Sequence, residues 1–405
     1  MQTQYDFDFT SILDRRGKDA LAVDFPEQGK GGFAAARRRD GYDVIPMWVA
    51  DMNFPTAPSI QRALAERIAH PAYGYFEESD AWYDAIIRWH ETRNGVTGLT
   101  REAIGYENGV LGGVISALNV MAPRGSKILL HSPTYIGFTM CLENSGYEIV
   151  LSPLKKDADG IWRMDYADME EKLRTQQIHA AVFCSPHNPA GRVWEQEELE
   201  QAMAIFEKYQ VDVVSDEIWS DLVLEGFRHI PTQSVNDYAR AHTVALYAPS
   251  KTFNLAGLIG SYHIIYDRRL HNLVRKQSSL SHYNSMNVLS MHALIGAYSV
   301  EGAAWVDALR QVLTGNVRYA CEQIETHFPG IAVSRPQGTY MLFLDCTEYC
   351  NKKNLSLEEV LHRGWEVGVY WQDGRPFHGE CAIRVNLALP LSRVQEAFRR
   401  LTEVL

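Results

Sequence analysis

Val211-Asp-Val-Val-Ser-Asp216-Glu217-Ile218-Trp219 is the stretch that decides the fold. A short apolar run closed by an acidic pair reads as a buried strand ending in polar residues. Two other segments repeat the plan. His179-Ala-Ala-Val-Phe-Cys184 runs into Ser185-Pro-His-Asn188-Pro-Ala-Gly191, and Thr243-Val-Ala-Leu-Tyr247 runs into Ser250-Lys251-Thr-Phe-Asn254. Between the first two of these strands lies an amphipathic helix from near Glu195, with Leu199, Met203 and Phe206 on one face. Apolar runs separated by such helices predict an α/β fold, with a mostly parallel sheet flanked by helices.

Further strands are expected at Lys127–His131, Ile149–Leu151 and Tyr262–Tyr266. After about residue 285 the pattern changes. A helical stretch from Asn287 to Phe328 is expected to break at Gly302. Short strands follow at Tyr340–Asp345, Glu366–Trp371 and Ala382–Val385, then a last helix from Ser392. This predicts a large domain over 46–285. A smaller α+β domain is built from 286–405 with the irregular, aromatic-rich segment 1–45 packed beside it.

At 405 residues, two domains are the natural expectation. The chain is 46% apolar and 22% charged, ordinary for a soluble enzyme. Its net charge of −11 argues against nucleic acid as a partner. The cluster Arg37-Arg38-Arg39 is short, diluted by Asp40 and Asp43, and reads as a solvated or ion-paired face. No run of about 18 apolar residues predicts a membrane span. The acidic start of the chain, Met1 to Phe9, lacks the apolar core of a signal peptide. The six scattered cysteines show no metal-site spacing and read as reduced packing residues, which points to the cytoplasm.

In open α/β sheets, ligands bind beyond the carboxyl ends of the strands. Asn188, Asp216 and Lys251 all sit just past strands, so they can converge. Amide, carboxylate and lysine suit a pyridine-type aldehyde cofactor. The lysine forms a Schiff base, the carboxylate keeps a ring nitrogen protonated, and the amide bonds a ring phenolate. Each residue also has a plainer reading. Lys251 could be solvated, although Phe253, Leu255 and Ala256 give it an apolar setting. Asp216 could sit in a turn, although Trp219 puts aromatic surface nearby. Asn188 could simply make a turn. Tyr135 could stack on a planar cofactor or pack at a helix start. Asn108-Gly109-Val110-Leu111-Gly112-Gly113 opens an apolar helix and offers backbone N–H groups to a phosphate. Ser250 could add a hydroxyl. Arg384, inside an apolar strand, needs an anion: a structural ion pair or a substrate carboxylate. Glu217 receives no role.

Together these motifs resemble the fold-type I pyridoxal-phosphate enzymes of the class I/II aminotransferase superfamily, over roughly residues 40–400. Trp48-Val-Ala-Asp-Met-Asn-Phe-Pro-Thr-Ala-Pro58, Tyr73-Gly-Tyr75 and Asp216-Glu-Ile-Trp-Ser-Asp221 are most similar to MalY/PatB-type carbon–sulfur lyases. The resemblance implies pyridoxal 5'-phosphate as cofactor and β-elimination from cystathionine or cysteine conjugates, giving a thiol, pyruvate and ammonia. It also implies a homodimer in which Tyr75 reaches the other subunit's cofactor phosphate. Two positions depart from relatives. Ile259 stands where aspartate-type aminotransferases carry a phosphate-binding arginine, and Trp219 stands where a tyrosine or histidine commonly lies near the phenolate. In Trp371-Gln-Asp-Gly-Arg375-Pro-Phe-His378-Gly-Glu380, Arg375 and His378 read as solvated loop residues.

The runner-up is an aminotransferase acting on an α-amino acid and a 2-oxo acid, because both reactions need the same electron sink. A non-catalytic binding protein is the third reading; it would not need Lys251, Asp216 and Arg384 together.

Overall fold

The structure is a computed structural model that describes residues 5–280 and 283–405. The first four residues of the acidic start lie outside the described residues. The large sheet has seven strands. In spatial order these are Ile104–Glu107, Ser261–Ile264, Thr243–Tyr247, Asp212–Asp216, Ile178–Cys184, Lys127–Ser132 and Glu148–Pro153. Ser261–Ile264 runs antiparallel to both neighbours, and the other pairings are parallel.

Alternation along the strands feeds two apolar layers. Val214, Val244 and Leu246 pack with Val114 and Leu118 of the helix Val110–Met121. Val213, Ala181 and Phe183 pack with Leu199, Met203 and Phe206 of the helix Gln196–Tyr209. Both faces are therefore covered, as the near-continuous apolar strands require. Gly113 lets the first helix lie flat on the sheet, because a Cβ there would come within 2.6 Å of Leu246.

The smaller sheet has four antiparallel strands in the order Ala332–Val333, Met341–Asp345, Ala382–Asn386, Gln372–Asp373. The amino-terminal segment packs beside it. Ile45–Pro46 pairs in parallel with Val369–Tyr370, and Phe33 packs its ring on Trp365 and Tyr370. That segment is not wholly irregular, since Leu21–Gln28 is helical.

Two expected boundaries are wrong. The helical stretch breaks at Tyr298-Ser299, between the helices Val288–Ala297 and Val300–His327. Ser299 caps the second helix by accepting from the Gly302 N–H, so Gly302 lies inside its first turn. Residues 357–366 form the helix Leu357–Glu366, and only Val369–Tyr370 of the expected strand is extended. A Ser356/Glu359 capping box starts that helix.

None of the helices among the described residues is long and apolar enough to cross a membrane. Arg38 pairs with Glu27 and Arg39 with Glu366, so this part of the basic cluster is ion-paired. No disulfide occurs among the described residues, although the Cys381 and Cys350 sulfurs approach to 3.7 Å.

Candidate active site

Three adjacent parallel strands deliver three of the expected residues to one edge of the large sheet. Ile178–Cys184 leads to Asn188, Asp212–Asp216 ends on Asp216, and Thr243–Tyr247 leads to Lys251 in the helical turn Pro249–Thr252. Neighbouring strands lie about 4.8 Å apart, so residues distant in sequence become neighbours here.

Beyond this edge lies a cavity of about 250 Å³. Gly109, Val110 and Leu111 line it at the start of the Val110–Met121 helix. Ser250 and Lys251 line it too, with Asn188, Asp216 and Trp219. Tyr135 lines it as well, whereas Arg384 does not. Tyr75 does not reach the cavity; its side chain is fully exposed. A larger cavity, about 540 Å³, is lined by His90, His229, Gln233 and Tyr247 and contains no expected site residue.

Lys251 Nζ donates to the Ala50 carbonyl at 2.9 Å. Burial pulls its pKa down to about 8, and the Arg384 charge pushes the same way. A lysine so placed gives up its proton near neutral pH and becomes a nucleophile. Asp216 is nearly fully buried and accepts only from the Ile218 N–H, at 3.0 Å. Burial raises its pKa to about 7; the Ile218 bond opposes this and the Glu217 charge adds to it. An under-bonded buried carboxyl fits a cationic N–H partner.

Arg384 lies in the strand Ala382–Asn386 and is 3% exposed. It donates to Asn188 Oδ1 at 3.3 Å, to the Trp48 carbonyl at 3.2 Å and to Gln372 Oε1 at 2.5 Å. Its guanidinium lies 4.3 Å from the Phe377 ring centroid, and its Nε has no partner. No carboxylate pairs with it among the described residues, so the ion-pair alternative is excluded there. The bond from Arg384 also fixes the Asn188 amide, leaving its NH₂ group free to donate.

The aromatic residues are held by packing. Tyr135 packs edge-on to Phe138, and Gly137 makes room for it: a Cβ there would come within 2.3 Å of the Tyr135 ring. Trp219 is 1% exposed and packs edge-on to Tyr340. Arg375 is tied to Asp373 on the surface, and His378 meets Thr139 Oγ1 at 3.4 Å.

Sequence reasoning missed the part played by residues 48–53. Ala50 holds Lys251 and Trp48 holds Arg384. Asn254 clamps Met52 through both its backbone N–H and its carbonyl, at 3.1 and 2.9 Å. Asn386 donates to the Val49 and Asp51 carbonyls, at 2.7 Å each. The stretch was visible only as a family motif. Ile259 also lines the cavity, with a φ of 44° that is uncommon for a β-branched residue. Bonds to its carbonyl from Tyr106 and Ser290 hold it there.

A helix start with free N–H groups, an amide donor, an under-bonded carboxyl, a partly desolvated lysine and an unpaired arginine match the donors and acceptors of pyridoxal phosphate bearing an α-amino acid. Such a sheet and site define a fold-type I enzyme. The chain belongs to the class I and II aminotransferase family, whose model matches residues 43–401. It is 32% identical over 366 residues to cystathionine beta-lyase PatB of Bacillus subtilis, covering 90% of this chain and 93% of that protein. A pyridoxal-phosphate-bound protein of Clostridium difficile, provisionally named an aminotransferase, superposes with a TM-score of 0.90 at 31% identity, covering 98% of this chain and all of that one. The pyridoxal-phosphate-bound C–S lyase of Staphylococcus hominis gives a TM-score of 0.87 at 27% identity, covering 99% and 98%.

Proposed function

We propose that this protein is a pyridoxal-phosphate-dependent β-lyase that cleaves cystathionine or related cysteine S-conjugates to a thiol, pyruvate and ammonia. The observation that carries the reading is Arg384: buried, without a carboxylate partner, and linked through Asn188 to the edge that holds Asp216 and Lys251. Similarity to proteins named as carbon–sulfur lyases supports elimination as the outcome.

When bound, the cofactor supplies an aldehyde for an amine and a ring that accepts electron density from the substrate α-carbon. The N–H groups of Val110 and Leu111, with the Ser250 hydroxyl, would hold the phosphate, while the Gly109 N–H donates to the Glu107 carbonyl at 2.9 Å. Asp216 keeps a proton on the ring nitrogen. Asn188 donates to the ring oxygen, while Tyr135 and Trp219 wall the ring. Arg384 grips the substrate carboxylate at two points and so orients the Cα–H bond. Lys251 would be the base that takes that proton, allowing the thiolate on the β-carbon to leave.

The active unit in this reading is a cytoplasmic homodimer, in which Tyr75 of one subunit donates to the phosphate in the other's site. The exposed Tyr75 and its aromatic neighbours Tyr73 and Phe76 support this. The domain division at residues 46–285, with 1–45 and 286–405 forming the second unit, is part of the same reading.

The test is to incubate pure holoprotein with cystathionine and measure pyruvate without any added 2-oxo acid. Steady pyruvate release is expected. An aminotransferase, the reading favoured by the name of the Clostridium difficile protein, would instead need a 2-oxo acid to turn over.

A further inference from the structure

Glu217 follows Asp216 directly, yet it has no part in the chemistry above. Its carboxylate is fully buried and fully bonded. One oxygen accepts from Ser215 Oγ and the Thr232 N–H, each at 3.0 Å. The other accepts from His229 Nε2 at 2.8 Å and the Tyr247 hydroxyl at 2.6 Å. Successive residues of a strand point to opposite faces. Asp216 accordingly faces the cofactor cavity, and Glu217 turns the other way, towards His229, Thr232 and Tyr247.

We propose that Glu217 is a positioning residue: its fixed negative charge, held directly behind Asp216, stabilises the proton shared between Asp216 and the ring nitrogen of the cofactor. This rests on the reading of Asp216 as the partner of that nitrogen.

The two adjacent acids stand in opposite surroundings. Four donors hold Glu217 as an anion, and they hold its pKa below the usual glutamate value against burial. Asp216 has one donor and the Glu217 charge beside it. Two neighbouring anions in a low-dielectric setting repel each other, and a cation on the second relieves the repulsion. A protonated ring nitrogen is such a cation; an unprotonated one is not. The pair thus favours the protonated ring more than Asp216 would alone. On the Glu217 side the titratable groups are His229, His90, Tyr247 and Tyr266. On the Asp216 side they are Lys251, Tyr135, Cys141 and Cys184, with Arg384 acting on Tyr135 and Lys251. Lys251 opposes the effect, because its positive charge favours the Asp216 anion.

The experiment compares wild type, Glu217→Gln and Asp216→Asn. In cofactor-free protein, the Asp216 carboxyl is titrated by carbon-13 NMR of labelled aspartate, with Asp216→Asn supplying the assignment. In reconstituted protein, the protonation of nitrogen-15-labelled cofactor is read from its ring-nitrogen shift, and retention is measured by dialysis. Glu217→Gln is expected to lower the Asp216 midpoint by about one pH unit, a tenfold change in proton affinity. It should also lower the pH at which the ring nitrogen loses its proton. An unchanged midpoint and nitrogen shift, with only a lower melting temperature, would reduce Glu217 to an anchor for the 228–234 loop and overturn the proposal. Asp216→Asn separates the two readings. If it leaves the nitrogen shift unchanged, the Asp216 assignment itself fails; if it moves the shift and Glu217→Gln does not, only the Glu217 proposal fails. Should Glu217→Gln not fold, Tyr247→Phe removes one donor that offsets the Glu217 charge and should move both readings the opposite way by less. No movement there would also overturn the proposal.

Discussion

Arg192 and Arg384 are equally buried, each 3% exposed, and they have opposite surroundings. Arg192 sits between Glu195 and Glu198, donates to the Trp162 and Val193 carbonyls, and meets Gln337. Arg384 meets one amide oxygen from each of Asn188 and Gln372 and one carbonyl, and it leaves Nε unbonded. A guanidinium cannot shed its charge in a protein. The first arginine therefore finds its anion within the fold, and the second has none among the described residues. Burial and residue type are the same, so the set of partners alone separates a structural arginine from a binding one.

The sharpest way to break this comparison is to remove each arginine in turn. Arg192→Met should cost about 1–3 kcal/mol of stability, because buried Glu198 loses one of its two arginine partners and keeps Arg163. It should leave the KM of the folded holoenzyme close to wild type. Chemical denaturation and steady-state kinetics give both numbers, and a raised KM at full stability would erase the distinction. Arg384→Lys is expected to lower kcat/KM for cystathionine roughly a hundredfold, since an ammonium cannot make the planar two-point grip. Its melting temperature should change little.

The carboxyls can be sorted the same way by pH. Asp216 has an ordinary value of 3.8 and sits at about 7 in the fold. Between those values the folded protein keeps a proton that the unfolded chain has released. Stability of the cofactor-free protein from this group therefore falls as pH rises from about 4 to about 7, then levels off. Asp216→Asn removes that slope, so its melting temperature should overtake wild type progressively towards pH 7. Parallel curves would mean that Asp216 is not the strained acid.

The smallest effect belongs to Tyr75, whose side chain is fully exposed. Tyr75→Phe should weaken cofactor retention about tenfold, the worth of one hydrogen bond to a charged group, while the dimer persists. Mixed with Lys251→Ala, it forms hybrid dimers in which one site carries both lesions and the other neither. Where each parent is nearly inactive, activity should return on subunit exchange. Demonstrated hybrids that regain nothing would take Tyr75 out of the neighbouring site.

Much of this site was legible because each key residue closes an apolar run. Asn188, Asp216 and Lys251 were placed by strand ends alone, and the sheet order made them adjacent. The choice between ion pair and ligand for Arg384 was not legible, because it depends on partners at residues 48, 188 and 372. Gly302 misled because a glycine in a helical pattern usually suggests a break, whereas Ser299 supplies the true start. The helix Leu357–Glu366 carried a readable Ser356…Glu359 signal, but valines and tryptophans at 365–371 suggested a strand through the same region.

Residues 48–53 act as a shared rail. One end of this short, bent stretch carries the Trp48 carbonyl that holds Arg384, and two residues on the Ala50 carbonyl holds Lys251. Because both carbonyls belong to one strip of backbone, any shift of that strip moves the arginine and the lysine together.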